Sequence, residues 1–307
     1  MPKGLTLSSA PALSKLTTIR LGGTPIARVL VDGAEGFEQL PSILERLGGS
    51  PVVLGRGSNI LAHDGDLPLV LVELGKSFTS QEPTVLHEEG DSVTVCVGAA
   101  MPLPLLVSRL AAMGLEGLTG LAGIPGQIGG AIAQNAGSFG NEIKDCLSSV
   151  SLFSPVLGRV VLKASDLDMA YRHFRLPQLE GVSGKSRNWF IIDGAEFRLR
   201  KAPPDELQAR ARECLARKRQ SQPVADASAG CIFKNHAEGP AGLLLEKSGM
   251  KGQARGGMSF STLHANFMIN DGTGTPDQAF SLIDDAKYMV LDHFGAQLEL
   301  EVRIWPS

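Results

Sequence analysis

The sequence predicts an α+β protein made of more than one packed domain, and three observations lead there. At 307 residues the chain is too long for one small core and suits two or three. Short β-rich runs that end at glycine interleave with stretches of helical periodicity along its whole length. A pair of prolines, Pro203 and Pro204, separates two such α+β stretches. Hydrophobic residues at 43% and charged residues at 20% are ordinary for a globular protein, so only the 36 glycines stand out.

Taken in order, Ile26 to Val31 and Pro51 to Leu54 read as strands. Between them Phe37, Leu40, Ile43, Leu44 and Leu47 recur at helical spacing, with Gly48 as the stop. Val93 to Gly98 reads as a strand leading into a helix over Met101 to Met113, with Pro102 in its first turn. Strand-like runs follow at Val150 to Phe153, Val160 to Leu162 and Trp189 to Leu199. After the prolines, Asp205 is placed to cap a charged helix that runs to about Arg219. Residues 220–271 form a compact α+β stretch. Thr275 and Pro276 then open a helix whose buried stripe is Phe280, Ile283, Val290, Leu291 and Phe294, and Gly295 ends it. From Gln297 to Trp305 the alternation is strict. Leu298, Leu300, Val302 and Ile304 share one face, and Glu299, Glu301 and Arg303 share the other.

Several function classes lose support. A net charge of -3 with scattered basic residues gives no electrostatic case for nucleic acid. No apolar run approaches the ~18 residues of a membrane span. Met1 to Lys15 lacks the pattern of a secretory signal, which points to the cytoplasm. Cys96, Cys146, Cys214 and Cys231 form neither a disulfide framework nor the paired spacing of a zinc site, so no metal is expected.

Three segments carry chemistry. Gly55-Arg56-Gly57-Ser58-Asn59-Ile60 follows a strand directly, so its backbone N–H groups suit a pyrophosphate; a tight strand-to-strand turn is the plain alternative. It is not the G-x-G-x-x-G of a dinucleotide fold, because no third glycine opens a helix. The segment Leu121 to Gly140 holds five glycines in the fifteen positions 123–137. Ordering so much glycine costs entropy, and its apolar neighbours Leu121, Ile124, Ile128 and Ile132 do not belong to a flexible loop, so a large ligand against bare backbone is the reading. Ser228-Ala229-Gly230-Cys231-Ile232-Phe233-Lys234-Asn235 sets a lone thiol in polar, electropositive company suited to proton exchange; a lone cysteine is otherwise a small buried hydrophobe.

Together with Thr17 to Gly23, Tyr171-Arg172-His173-Phe174, Gly249 to Gly252 and His264 to Asn270, these segments resemble the UDP-N-acetylenolpyruvoylglucosamine reductase family. They stand in the family's order from about Leu13 to Ile304. The resemblance implies a two-part FAD-binding region of the vanillyl-alcohol-oxidase type plus a smaller α+β substrate domain. The expected boundaries are 1–75 and 76–202 for the FAD-binding parts, with strand 297–307 joining the second, and 203–296 for the substrate domain. It implies FAD held by Gly55, Arg56, Gly57, Ser58, Asn59 and Ile60. Gly123, Ile124, Pro125, Gly126, Gly129, Gly130, Asn135, Ala136 and Gly137 complete the cofactor set, and Arg20 is structural.

The implied reaction reduces the enolpyruvyl group of a UDP-sugar with NADPH as co-substrate, in peptidoglycan precursor synthesis, by a cytoplasmic monomer. Charge builds up beside the substrate carboxylate, so cations or donors are needed there and an acid at the neighbouring carbon. Arg172 matches the carboxylate binder, Glu301 the assisting carboxylate and Cys231 the proton donor. Lys234, Asn235, Lys251, Ser259, His264 and Asn266 match substrate contacts, and Lys234 is also placed to steady a thiolate at Cys231. Three positions depart from the family's common pattern. Cys231 stands for serine, and a thiol, with an ordinary pKa of about 8.5, is the far stronger acid. Ser259 stands for glutamine, and Phe139 for a tyrosine near the flavin. The 180–200 region shows no extra tyrosine-bearing loop. Rival readings are an oxidase of the same fold, against which no histidine lies in the glycine-rich segments, and a nucleotide-binding homologue without catalysis. A nicotinamide-dependent dehydrogenase is a further rival, and it lacks a dinucleotide fingerprint.

Overall fold

The computed structural model describes residues 3–79, 82–182 and 188–306, so residues 183–187 of the region read for a tyrosine loop lie outside it. The chain is α+β and falls into two compact units. One comprises Met1–Ser9, Ala27–Gly55 and Leu69–Arg217; the other comprises Ala10–Ile26, Arg56–Pro68 and Lys218–Ser307.

The first unit contains two cores. One lies beneath a four-stranded sheet in the order Leu5–Ser8, Thr24–Val31, Asp66–Leu74, Ser50–Val53. Alternation in Thr24–Val31 puts Ala27, Val29 and Val31 on the buried face, as period-two patterning requires. Helix α1, Glu35–Leu47, lays Phe37, Leu40, Ile43 and Leu44 on that core, and Phe37 stacks on Phe153 at 5.0 Å. Gly48 ends α1 at φ 68°, the stop its position predicts. The other core belongs to a larger antiparallel sheet in the order Gly158–Lys163, Leu147–Ser154, Ile191–Lys201, Ser92–Gly98, Thr84–Glu89, with Leu115–Glu116 paired beside Ile191–Lys201. Helix α2, Leu103–Ala112, covers it with Leu103, Leu106, Val107 and Leu110. Pro102 is extended, at ψ 130°, and stands just before the first turn instead of inside it. The short helix α3, Ile128–Ile132, arises within the glycine-rich segment.

Helix α4, Pro204–Ser221, starts at the predicted prolines. Asp205 lies inside its first turn with Glu206 instead of capping it, and two acids there still oppose the positive end of the helix dipole.

The second unit has one core and a four-stranded sheet ordered Ala227–Cys231, Phe267–Asn270, Met258–Phe260, Ala254–Arg255. Ile19, Leu21 and Leu61, distant in sequence, belong to that core. Helix α5 is Ala241–Lys247 and helix α6 is Pro276–Phe294. Thr275 and Gln278 form a capping box on α6, and Gly295 ends it in the left-handed conformation at φ 65°. The stripe predicted for α6 needs correction. Ala279, Leu282, Ile283, Ala286 and Val290 are buried, whereas Leu291 is 44% exposed and Phe294 37%. A stripe drawn from large side chains alone overlooked the alanines that let a helix approach its neighbours closely.

The tail keeps the predicted alternation, with Leu298 and Val302 buried and Glu299 and Arg303 exposed, but it is not one strand. Leu300 bridges Phe233, and Arg303–Trp305 then runs parallel to Ile60–Ala62. The expected three-part division also differs from the compact units. The tail groups with 218–296 instead of with 76–202, and the unit boundary falls inside α4, between Arg217 and Lys218. Two hydrogen-bonded partners in its own unit, strand 60–62 and residues 232–234, account for where the tail goes.

Candidate active site

The predicted residues divide between the two units. In the first, apolar anchors fix the glycine-rich segment. Leu121, Ile128 and Ile132 are fully buried. Leu103 N donates to Gly126 O at 3.0 Å, Ile128 N to Met101 O at 3.0 Å, and Gly129 N to Ala99 O at 2.9 Å. This lacing leaves partly exposed N–H groups at Gly123, Gly126, Gln127 and Gly130 without an acceptor among the described residues. A Cβ at Gly130 would meet nothing within 4 Å, so a ligand can approach its bare backbone. Gly55, in the same unit, faces Gln127, whose Oε1 lies 3.1 Å from where a Cβ would sit. Gln127 was not among the predicted residues.

Arg172 occupies the turn between strands Asp168–Ala170 and His173–Arg175 with φ 52°, a left-handed conformation that disfavours a non-glycine residue. Its guanidinium lies 4.9 Å from the Tyr171 ring centroid, and Nη2 donates to Gly137 O at 3.1 Å. Asn135, expected to bind the cofactor, is completely buried. Its Nδ2 donates to Glu142 Oε2 at 3.0 Å and to Ala170 O at 2.8 Å, and its Oδ1 accepts from Lys144 N at 3.0 Å. Both donor hydrogens of that amide are thereby used within the protein. Phe139, in the next turn, is 41% exposed at φ 49°, with the Arg217 guanidinium 4.7 Å from its ring centroid.

In the second unit Thr18 joins two predicted segments. Its N–H donates to Gly57 O at 3.1 Å, and its hydroxyl donates to Ser228 O at 2.6 Å. The sequence marks Thr17-Thr18 only as part of a motif, because a bond to residue 228 has no local signal. Gly57 has φ 61°, and a Cβ there would stand 2.4 Å from Leu16 O, so packing already demands glycine. Arg56, exposed beside it, has an N–H without an acceptor among the described residues.

Cys231 is half-buried and outside any disulfide, at the end of Ala227–Cys231, just past an irregularity where Gly230 takes φ 80°. Its neighbour Ile232 donates to Asn266 O and accepts from Glu301 N, both at 2.8 Å. Asn59 Nδ2 in turn donates to Glu301 O at 3.2 Å. The thiol strand, the glycine loop and the Glu301 segment are thereby laced together. Glu301 is half-buried, while the Glu299 side chain is 75% exposed and pairs with Lys234 Nζ at 3.2 Å. Lys234, expected to steady a thiolate, is held by that carboxylate.

The remaining predicted residues lie on the same unit. Lys251 Nζ is 2.8 Å from Glu246 Oε1. His264 is half-buried, and burial, with the Lys251 ammonium adding, pushes its pKa below the ordinary value against the pull of Glu246. Asn235 Oδ1 accepts from Ala241 N at 3.0 Å, which holds the start of α5. Ser259 is half-buried in Met258–Phe260. Asn266, expected as a substrate contact, has internal partners. It is 2% exposed, its Oδ1 accepts from Phe233 N at 2.9 Å and its Nδ2 donates to Phe233 O at 2.7 Å, so it pins the cysteine segment from behind.

Comparison with known proteins places the chain in a family. Residues 39–161 match the FAD binding domain family, and residues 222–305 match the C-terminal domain of UDP-N-acetylenolpyruvoylglucosamine reductase. The chain is 46% identical to the UDP-N-acetylenolpyruvoylglucosamine reductase of Oleidesulfovibrio alaskensis, over 97% of each chain. It is 44% identical to that of Nitratidesulfovibrio vulgaris, over 98% of each. The crystal structure of the enzyme from Thermus caldophilus superposes with a TM-score of 0.79 at 32% identity, covering 98% of this chain and 100% of that one.

Proposed function

The chain belongs to the UDP-N-acetylenolpyruvoylglucosamine reductase family, and from that premise we propose how its residues divide the work. It is an FAD-dependent oxidoreductase that reduces UDP-N-acetylglucosamine enolpyruvate to UDP-N-acetylmuramate in peptidoglycan synthesis. FAD, when bound, supplies hydride-transfer chemistry, with NADPH as the proposed reductant. The residues fit such a group. The N–H groups of the partly or fully exposed residues Gly55, Gly123, Gly126, Gln127 and Gly130, all in the first unit, are donors without acceptors among the described residues, and a pyrophosphate is an acceptor without donors. We assign 1–75 and 76–202 to cofactor binding and 203–296 to the UDP-sugar. The protein is proposed to act as a cytoplasmic monomer; no helix among the described residues is long and apolar enough to cross a membrane.

Arg172 holds and polarises the substrate carboxylate, because its fork matches a carboxylate in a way a lysine does not. Cys231 keeps a proton for the carbon next to that carboxylate, and Glu301 assists from the neighbouring segment. Lys251 and His264 bind the diphosphate and sugar. One observation carries this division. Glu301 N on Ile232 O, at 2.8 Å, joins the carboxylate's backbone to the residue that follows the thiol, while Glu299 is exposed and tied to Lys234.

The test reads the flavin's visible absorbance without oxygen. The expected result is a yellow protein, bleached by NADPH and recoloured by UDP-N-acetylglucosamine enolpyruvate. A protein recoloured only by oxygen refutes the substrate, and one that takes up no FAD refutes the cofactor.

A further inference from the structure

The segment Asn135-Ala136-Gly137 fastens an element more than thirty residues further along the chain. The Tyr171-Arg172 turn leaves a short hairpin and has little core of its own. Its strands are three residues each, and Met169 and Phe174 are only partly buried. Three contacts hold it against the glycine-rich segment. Asn135 Nδ2 takes Ala170 O at 2.8 Å, immediately before the turn. The Arg172 guanidinium donates to Gly137 O at 3.1 Å and, at the long limit of 3.5 Å, to Asn135 O. Finally, a Cβ on Gly137 would stand 3.3 Å from Arg172 Nη1 and 2.9 Å from Glu142 Cγ, so the guanidinium rests where only glycine leaves room.

The backbone is shaped for this contact. Asn135 has φ 40° and Arg172 φ 52°, both left-handed. Asparagine tolerates that region because its short amide bonds locally, whereas arginine occupies it only when surrounding structure over-determines it. The Asn135 amide is itself fixed by Glu142 Oε2 at 3.0 Å and by Lys144 N at 3.0 Å.

We infer that Asn135 is a positioning residue for Arg172, and that Asn135 and Gly137 form the seat that aims its guanidinium. The inference rests on the reading of Arg172 as the carboxylate binder. An arginine free to sample its rotamers loses orientation for a bidentate partner, and a seat of two carbonyls removes that freedom before substrate arrives. The role differs from cofactor binding because every hydrogen-bonding atom of the Asn135 amide is engaged within the protein.

The experiment uses the FAD-loaded enzyme and compares wild type, Asn135→Gly, Arg172→Lys and the double variant. Glycine keeps the left-handed backbone and removes only the amide. Calorimetry gives the dissociation constant for UDP-N-acetylglucosamine enolpyruvate, steady-state kinetics give kcat and KM, and flavin content and thermal melting control for folding. Asn135→Gly should weaken substrate binding by about tenfold, the scale of a lost orienting hydrogen bond, with flavin content and flavin bleaching by NADPH retained. In the Arg172→Lys background the same change should cost less than about twofold, because the seat then has nothing to aim. An equal loss in both backgrounds overturns the inference, as does loss of FAD from Asn135→Gly. An impaired Arg172→Lys beside an unimpaired Asn135→Gly overturns the inference and leaves the reading of Arg172 standing. An unimpaired Arg172→Lys overturns both. If Asn135→Gly does not fold, Gly137→Ala probes the seat from its other side, with the same loss expected only while Arg172 is present.

Discussion

A thiol at position 231 changes what reagents can do to the protein. Cys146 is buried and its pKa is pushed up to about 12, chiefly by that burial, with Asp145 adding. Burial also raises Cys96, helped by the Glu196 and Asp193 carboxylates. Neither forms much thiolate near neutrality, and the thiolate is the nucleophile. Iodoacetamide should therefore inactivate the wild type through Cys231, while Cys231→Ser should stay active and resist it. A wild type that keeps full activity after alkylation at Cys231 has been verified by mass spectrometry would refute the donor role. His264 gives a second prediction at this scale. Its folded pKa is lowered, so its neutral form stabilises the fold fully above the unfolded value. That contribution disappears as pH falls from about 6.5 through the folded value. Urea unfolding between about pH 7.5 and pH 5 should show a slope that His264→Gln flattens; an unchanged slope rejects the assignment.

Elements differ in how clearly their sequences announce them. Helix α6 is bounded by Thr275, Pro276 and Gly295, each acting on the backbone beside it, and so its ends were legible. Its buried face was not, because Leu291 and Phe294 are as apolar as Leu282 and only packing separates them. Leu282→Ala should cost about 2–5 kcal/mol and Leu291→Ala no more than about 0.5 kcal/mol. Thr275→Ala should fall between, at about 1 kcal/mol for the lost cap. Equal costs at Leu282 and Leu291 would return the stripe to the one drawn from sequence. In the loop 55–60, Gly57→Ala should destabilise by about 1–3 kcal/mol whether or not FAD is present, since the obstruction is Leu16 O.

Across the whole molecule, the second unit is assembled from three stretches of chain. Its core needs Ile19, Leu21 and Leu61 as well as residues beyond 218, and strand 60–62 is the parallel partner of Arg303–Trp305. A fragment of residues 218–306 alone should therefore show no cooperative thermal transition by circular dichroism, although it contains the whole of the 222–305 family match. A sharp melt from that fragment would mean the N-terminal pieces are ornaments on a self-sufficient domain.

By itself the sequence determined the α+β class, the end of α1 and both ends of α6, the alternation of the tail, the glycine-rich segments and, through motif order, the family. All of these are local or collinear, and local backbone preference or residue order carries them. Only the tertiary structure decided which partners the asparagines of these motifs have inside the protein. Asn135 and Asn266 stand in ligand-like motifs, yet both are buried and both side-chain atoms of each are bonded to groups from elsewhere in the chain. It also decided that Glu301 is half-buried and Glu299 exposed, and that the tail serves residues 232–234 and strand 60–62 in turn. The physical reason is the same each time. A polar side chain's role is set by which partners fill its hydrogen bonds, and those partners come from parts of the chain that no window of sequence contains.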